Sequence, residues 1–225
     1  VSKLDDQLAD GRIMANLPQY RGKETALITN VCRFIDRIES PYLSLSWGKQ
    51  SIILAHVVAI HRPHTLCVHW TGEDAELLGD FMAVKEAFMG RWPLNYLEWP
   101  RALSLKEAIA EYDNSHHHGG QIVGIAAEES KGRMALCKTL DHGRCKLLAD
   151  GRSRCYPMAW WTVADLAAYI ARYELPLLSP YRRFGLEVRT STGCRPGSYT
   201  ERALDLMNST DAAEMRDLWR QRGLA

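Results

Sequence analysis

Leu43-Ser44-Leu45-Ser46-Trp47-Gly48-Lys49-Gln50-Ser51 changes character twice in a few residues. Residues 42–46 read as a short strand and residues 47–50 as a tight loop. Residues 51–60 form an apolar run long enough for a buried helix, broken by Pro63. A strand that passes into a helix through a glycine-containing loop is the first half of a parallel βαβ unit.

The alternation continues on both sides. Upstream, residues 18–22 read as a turn and residues 23–39 as an amphipathic helix, with Leu27, Val31, Phe34, Ile35 and Ile38 at helical spacing. Downstream, residues 65–70 form a second strand rich in β-branched and aromatic side chains, residues 74–89 a helix, and residues 94–99 a third strand. Residues 104–112 form a short helix with Ser104 as cap and Glu107 as its capping-box partner. A polar segment, 114–120, leads to a fourth strand at 122–126. Residues 128–154 mix charges, glycines and two cysteines without clear period. Residues 162–173 form a helix capped by Thr162 with Asp165, 175–183 a proline-containing loop, and 199–208 and 211–222 two terminal helices. The expected fold is α/β: an open, mostly parallel, doubly wound Rossmann-like sheet in a single domain over residues 1–225. Ligands bind such sheets beyond the carboxyl ends of the strands, which singles out residues 46–51, 71–74 and 127–130.

The loop has the chemistry for an anion. Successive backbone N–H groups and the helix N-terminus favour negative charge. Ser46 and Ser51 offer hydroxyl donors, Lys49 a full charge, and Gly48 close backbone approach. The plain alternative is an ordinary serine-capped turn. It is not a Walker A loop, which needs glycine, four residues, then Gly-Lys-Ser/Thr; here Gln50 separates Lys49 from Ser51.

Composition narrows the classes. A net charge of +1 gives no general attraction to nucleic acid. No run of eighteen apolar residues suggests a membrane span, and residues 1–20 lack the apolar core of a secretory signal. Six cysteines in such a chain read as reduced thiols, which makes a cytoplasmic location the expectation. His116-His117-His118 reads as an exposed polar loop able to bind metal adventitiously. Trp160-Trp161 beside Arg144, Lys146, Arg152 and Arg154 suits a nucleic-acid backbone with stacked bases, a phosphorylated small molecule, or helix packing under a solvated charged loop, the last being favoured.

Residues 43–51 resemble the PP-loop of the adenine-nucleotide α-hydrolase superfamily, usually Ser-Gly-Gly-x-Asp-Ser. Trp47 stands where the phosphoadenylylsulfate (PAPS) reductase branch has an aromatic residue. Three further segments are similar to that branch in order and spacing. Val68-His69-Trp70-Thr71-Gly72-Glu73 resembles its Asp-Thr-Gly segment, and Gly124-Ile125-Ala126-Ala127-Glu128-Glu129-Ser130-Lys131-Gly132-Arg133 its Gly-Ile-Arg-x-Glu-Glu-Ser-x-x-Arg segment. Tyr156 to Leu166 resembles its Pro-Leu-x-x-Trp-x-x-x-Asp-Val-Trp segment. Leu175-Pro176, Pro180-Tyr181, Gly185 and Gly193-Cys194 follow the closing pattern. The resemblance covers a core of about residues 24–197, with a helical extension over 198–225. Gln50 replaces the common Asp and Ala126 the common Arg. The sequence shows no Glu-Cys-Gly-Ile-His segment, and Cys194 lies in Gly-Cys-Arg-Pro, so sulfite release would lack its thiol.

The resemblance implies an ATP pyrophosphatase or adenylyltransferase that activates a substrate, in sulfur transfer such as DNA phosphorothioation or RNA thiolation. Two alternatives are a PAPS reductase using Cys194 and a non-catalytic nucleotide-binding module. It implies nucleotide binding by Ser44, Ser46, Trp47, Gly48, Lys49, Gln50, Ser51, Thr71, Gly72, Gly124 and Ile125, and catalysis by Lys49, Ser51 and Arg133. Glu73, Asp74, Glu128 or Glu129 would hold Mg²⁺. Cys137, Cys145, Cys155 and Cys194 could hold Zn²⁺ or a [4Fe–4S] cluster, as some sulfur-transfer members do. Their spacings of seven, nine and thirty-eight residues contain no Cys-x-x-Cys pair, and burial is the simpler reading. A sulfur-donating cysteine desulfurase, a nucleic-acid substrate and a homodimer are the partners such a role would involve.

Overall fold

The computed structural model describes residues 2–71, 81–100, 105–140 and 145–187. Gly72, Glu73, Asp74, Cys194, the Ser104 cap and the two terminal helices expected from the sequence lie outside the described residues.

Helix α1 (Lys3–Met14) opens the chain, with Ser2 and Asp5 forming a reciprocal capping box. Helix α2 (Pro18–Arg37) begins where the sequence suggested a turn. Pro18 occupies the first helical position, where a missing N–H costs nothing. Tyr20, Glu24, Leu27, Val31 and Phe34 then form one buried stripe.

Strand β1 (Pro41–Leu45) leads into α3 (Lys49–His61), then β2 (Leu66–Thr71), α4 (Phe81–Met89), β3 (Asn95–Pro100) and α5 (Leu105–His116). The second half holds β4 (Gly120–Val123), a 3-10 turn (Ala127–Glu129), α6 (Lys131–Lys138), β5 (Cys145–Leu147) and β6 (Ser153–Cys155). It finishes with α7 (Val163–Tyr173) and α8 (Ser179–Phe184). The period-free stretch 128–154 thus contains α6 and two strands of three residues each, too short to show an alternation. The loop expected at 175–183 contains α8, which starts with Pro180 in its first turn.

The strands form one sheet in the order β3-β2-β1-β4-β6-β5. All neighbours are parallel except the edge pair β5–β6. The chain moves outward from β1 through β2 to β3, then returns to place β4 on the other side of β1. The topological switch therefore lies between β1 and β4.

The pleat of β1 divides the core. Leu43 and Leu45 pack with Cys67, Ile122 and the buried faces of α2, α3 and α7. Tyr42 faces the other way, with Val68, Trp70, Ala108 and Tyr112. Helix α3 is buried at every residue from Lys49 to Val58, as a helix inserted under other helices must be. Helix α1 crosses α7 at Gly11, where a Cβ would lie 2.6 Å from the carbonyl carbon and oxygen of Ala167. No helix among the described residues is long and apolar enough to cross a membrane.

The histidine run is not a loose loop. Helix α5 extends through His116, and the rings of His116 and His118 stack on Tyr112 at 4.3 and 4.9 Å. His118 Nδ1 also meets the Ser40 carbonyl at 2.7 Å and its Nε2 the Tyr112 hydroxyl at 2.9 Å.

Candidate functional site

The switch point brings together the two segments that follow β1 and β4. Helix α3 starts at Gly48, which supplies no side-chain cap. Most helices recruit an oxygen of the N-cap side chain for one of these first N–H groups; here the Tyr181 hydroxyl of α8 takes the Lys49 N–H instead, and the helix end still favours negative charge. Trp47, just before it, has φ 56° and is fully buried, its ring against Phe88 and Tyr96. A left-handed backbone under so bulky a side chain is strained and is held by this aromatic packing.

The serines brace the loop. Ser51 Oγ donates to the Gly48 carbonyl at 3.1 Å and accepts the Ser46 N–H at 3.2 Å. Its one proton being committed to Gly48, it accepts from the Ser46 hydroxyl at 3.1 Å. Ser51 is thus a strut in this state, and Ser46 is the exposed hydroxyl of the pair. Ser44, on the other face of β1, accepts from Trp70 Nε1 at 2.7 Å. Thr71 ends β2 and donates to the Trp99 carbonyl at 3.2 Å, toward the sheet edge.

Gly124 and Ile125 meet the loop from β4. A Cβ on Gly124 would lie 2.9 Å from Gln50 Cβ and 3.0 Å from Ser51 N. Only glycine lets the two segments approach this closely. Gln50 is 6% exposed, and its Nε2 has no hydrogen-bond partner among the described residues. A buried amide donor in that state lacks about 1–3 kcal/mol of stabilisation that an acceptor would supply.

Lys49 is 1% exposed. Its backbone N–H donates to the Tyr181 hydroxyl at 3.1 Å, and its ammonium stands 5.9 Å from the Tyr181 ring centre. The ammonium forms an ion pair with Glu129 Oε1 at 3.3 Å. The other Glu129 oxygen accepts from the guanidinium of Arg133 and from the Ala126 N–H at 3.2 Å. Arg133 sits in the first turn of α6, whose N-cap is Ser130.

The acidic set expected to hold Mg²⁺ is thereby changed. Glu129 is engaged by two cations and is not an open metal ligand. Glu128 is exposed; desolvation of its carboxyl raises its pKa, opposed by the Val163 backbone N–H and the Lys49 charge. Cys145 and Cys155 face each other across β5 and β6, and Cys137 belongs to a separate cluster with Ile125, Tyr156 and Ala159. Among the described residues no group of three His, Cys, Asp or Glu side chains is placed to hold a metal ion. Cys194, the fourth of the expected set, lies outside the described residues.

Tyr181 and the Lys49–Glu129 pair had no local signal in the sequence. Tyr181 is 132 residues from Lys49 and reaches it through α8. Trp161, by contrast, is 3% exposed and packs against Tyr20 and Tyr169, while Trp160 is 44% exposed.

No family model matches the sequence, and no curated protein matches it. Solved structures do. FMN adenylyltransferase from Candida glabrata superposes with a TM-score of 0.54 at 15% identity, covering 80% of this chain and 68% of that one. The same enzyme in complex with FMN and the ATP analogue AMPCPP gives 0.53 at 14% identity, covering 81% and 70%. PAPS reductase from Candida auris in a phosphate complex gives 0.46 at 10% identity, covering 67% and 81%. With β1 to β4 in parallel register around the switch point, the chain has a Rossmann-like, mostly parallel α/β fold, which it shares with the FMN adenylyltransferase structures.

Proposed function

We propose that this protein binds ATP with its triphosphate on residues 46–51 and transfers the adenylyl group to an acceptor, releasing pyrophosphate. One observation carries the reading. The N-terminus of α3, the buried Lys49 ammonium and the unsatisfied Gln50 amide converge at the β1/β4 switch point. The ammonium is held by the Glu129 carboxylate and Gln50 Nε2 has no partner among the described residues, so both face the place where open α/β sheets bind ligands. The same fold holds an ATP analogue in an FMN adenylyltransferase.

In this reading an acceptor oxygen or sulfur attacks the α-phosphorus, and the bond to the β-phosphate bridging oxygen breaks. The electron pair leaves with pyrophosphate. Stabilising that charge is an electrostatic task, shared by Lys49, Arg133 and the first-turn N–H groups of α3. Ser46 donates a hydroxyl from the rim, while Ser51 keeps the loop's shape. Gly124 and Ile125 wall the nucleotide from the β4 side, and Ser44 and Trp47 hold the strand end and the turn in place. Mg²⁺ would arrive on the triphosphate, with Glu128 as the described candidate for it and Glu73 and Asp74, outside the described residues, as the others. The acceptor we favour belongs to sulfur transfer, with a cysteine desulfurase supplying sulfur and a nucleic acid receiving it.

The test is direct. ATP and Mg²⁺ with the purified protein should give saturable binding in titration calorimetry, and pyrophosphate with AMP on turnover. Absence of nucleotide binding by the wild-type chain removes the proposal.

A further inference from the structure

We infer that Glu129 is an internal stand-in for phosphate: its carboxylate holds Lys49 and Arg133 until the anionic tail of the nucleotide displaces it. This rests on the reading of residues 46–51 as a phosphate site and adds how that site is kept ready. Glu129 takes the donors that a phosphate oxygen would seek. Its Oε1 faces the Lys49 ammonium at 3.3 Å, and its Oε2 receives the Arg133 guanidinium and the Ala126 N–H. The side chains of Lys49 and Glu129 are 2% and 7% exposed, so the pair lies out of water. A buried ammonium without a nearby anion is strongly unfavourable, whereas a paired one is tolerated. The carboxylate therefore lets a buried lysine wait, charged, at the end of α3.

The geometry also fixes where the carboxylate comes from. Glu129 ends the 3-10 turn after β4, and the N–H of Ala127 in that turn donates to the Ala159 carbonyl at 2.8 Å. The stand-in thus arrives on the β4 segment, which packs against the loop it neutralises. An incoming phosphate that takes over Lys49 releases one side of this link. Nucleotide binding and the position of residues 124–133 are thereby coupled.

Glu129→Gln keeps the shape and removes the charge. The ligand-free variant should melt several degrees below wild type. Inorganic pyrophosphate or ATP should then raise its melting temperature by more than they raise that of wild type, and pyrophosphate should bind about tenfold more tightly because no internal anion competes. A structural brace alone would lower both melting temperatures equally and leave the ligand increment unchanged, which overturns the inference. Adding Lys49→Met to Glu129→Gln should restore the ligand-free melting temperature toward wild type. If Glu129→Gln does not fold, folding of the double variant supports the inference and its failure overturns it. A wild-type protein that takes up neither ATP nor pyrophosphate removes the functional reading and this inference together. A wild-type protein that binds them, with Glu129→Gln indistinguishable from it, removes the inference alone.

Discussion

Helices α3 and α7 pack against each other, yet their N-termini are built on opposite principles. At α7, Thr162 Oγ1 accepts the Asp165 N–H at 3.2 Å. Asp165 Oδ2 takes back the Thr162 N–H at 2.8 Å, and Lys23 completes the cluster at 2.7 Å. The Asp165 charge is thus met by the cap and by Lys23, although its Oδ1 is buried with no hydrogen-bond partner among the described residues. At α3 the cap is a glycine without a side-chain bond, the residue before it is strained, and Gln50 Nε2 is unsatisfied. One end is closed by a local side-chain box, whereas the other is closed by the Tyr181 hydroxyl from α8 and the Glu129 carboxylate from the β4 segment. The difference teaches how the two ends are closed: one by its own first turn, the other by residues brought from far along the chain, Tyr181 and Glu129.

The comparison breaks most sharply at Lys49. Lys49→Met removes the charge while filling the same space. Pyrophosphate release from ATP should fall by about 10²–10³-fold, the usual effect of deleting one preorganised charge stabiliser. The melting temperature should fall far less than the rate, since the Glu129 carboxylate retains Arg133. Steady-state kinetics beside a thermal melt checks both. Loss of folding and of activity in equal measure would make Lys49 an ordinary core residue.

His56 joins the two helices and gives the next largest effect. It is 4% exposed in the middle of α3, with Nδ1 2.9 Å from the Tyr169 hydroxyl of α7 and its ring among Trp92, Tyr169 and Tyr173. Burial, with smaller contributions from His61 and Arg91, lowers its pKa from 6.5 to about 4. The unfolded chain binds the proton first as pH falls, so this contribution is complete above pH 6.5 and is lost as pH drops toward 4. The whole window amounts to on the order of 3 kcal/mol. Urea melts at pH 7 and pH 4.5 should show a loss that His56→Gln reduces. A pH slope untouched by His56→Gln would assign the acid sensitivity elsewhere.

Asp165→Ala tests the locally closed end. It removes the cap's return bond and the Lys23 contact, and Lys23 is nearly half exposed, so most of the cost comes from the cap. About 1–2 kcal/mol should be lost in a urea melt, with ATP affinity per folded molecule unchanged. A variant that loses nucleotide binding while keeping its stability would reverse the division of labour between the two ends.

Much of this contrast was legible in the sequence, and the reason lies in distance. Strands β1 to β3 and the loop between β1 and α3 announce themselves within ten residues, through alternating apolar side chains and one glycine. Thr162 and Asp165 lie three apart and form a local cap. Helix α1 escaped notice because it buries only Leu4 and Gly11 and so shows no apolar stripe; its sole signal is Ser2 with Asp5. The Lys49–Glu129 pair and Tyr181 are products of tertiary packing. Nothing in residues 128–130 alone distinguishes a carboxylate that neutralises a buried lysine from one that binds Mg²⁺.

Two glycines of the β4–α6 segment sharpen the contrast at its finest scale. Gly124 closes on the loop, and Gly132 has nothing within 4 Å of where its Cβ would stand. Gly132→Ala, inside α6, should stabilise the protein by about 0.5–1 kcal/mol, because alanine costs less backbone entropy in a helix. Gly124→Ala must push Gln50 Cβ and Ser51 N away by several tenths of an ångström. Both belong to a helix end braced by Ser51, so the shift is transmitted to the donors of the first turn. Nucleotide affinity should fall about tenfold, with a stability loss of about 1–3 kcal/mol. The paired melts and titrations separate close packing from mere proximity. If Gly124→Ala binds ATP as wild type does, the β4 segment does not shape the loop, and the site reduces to the end of α3.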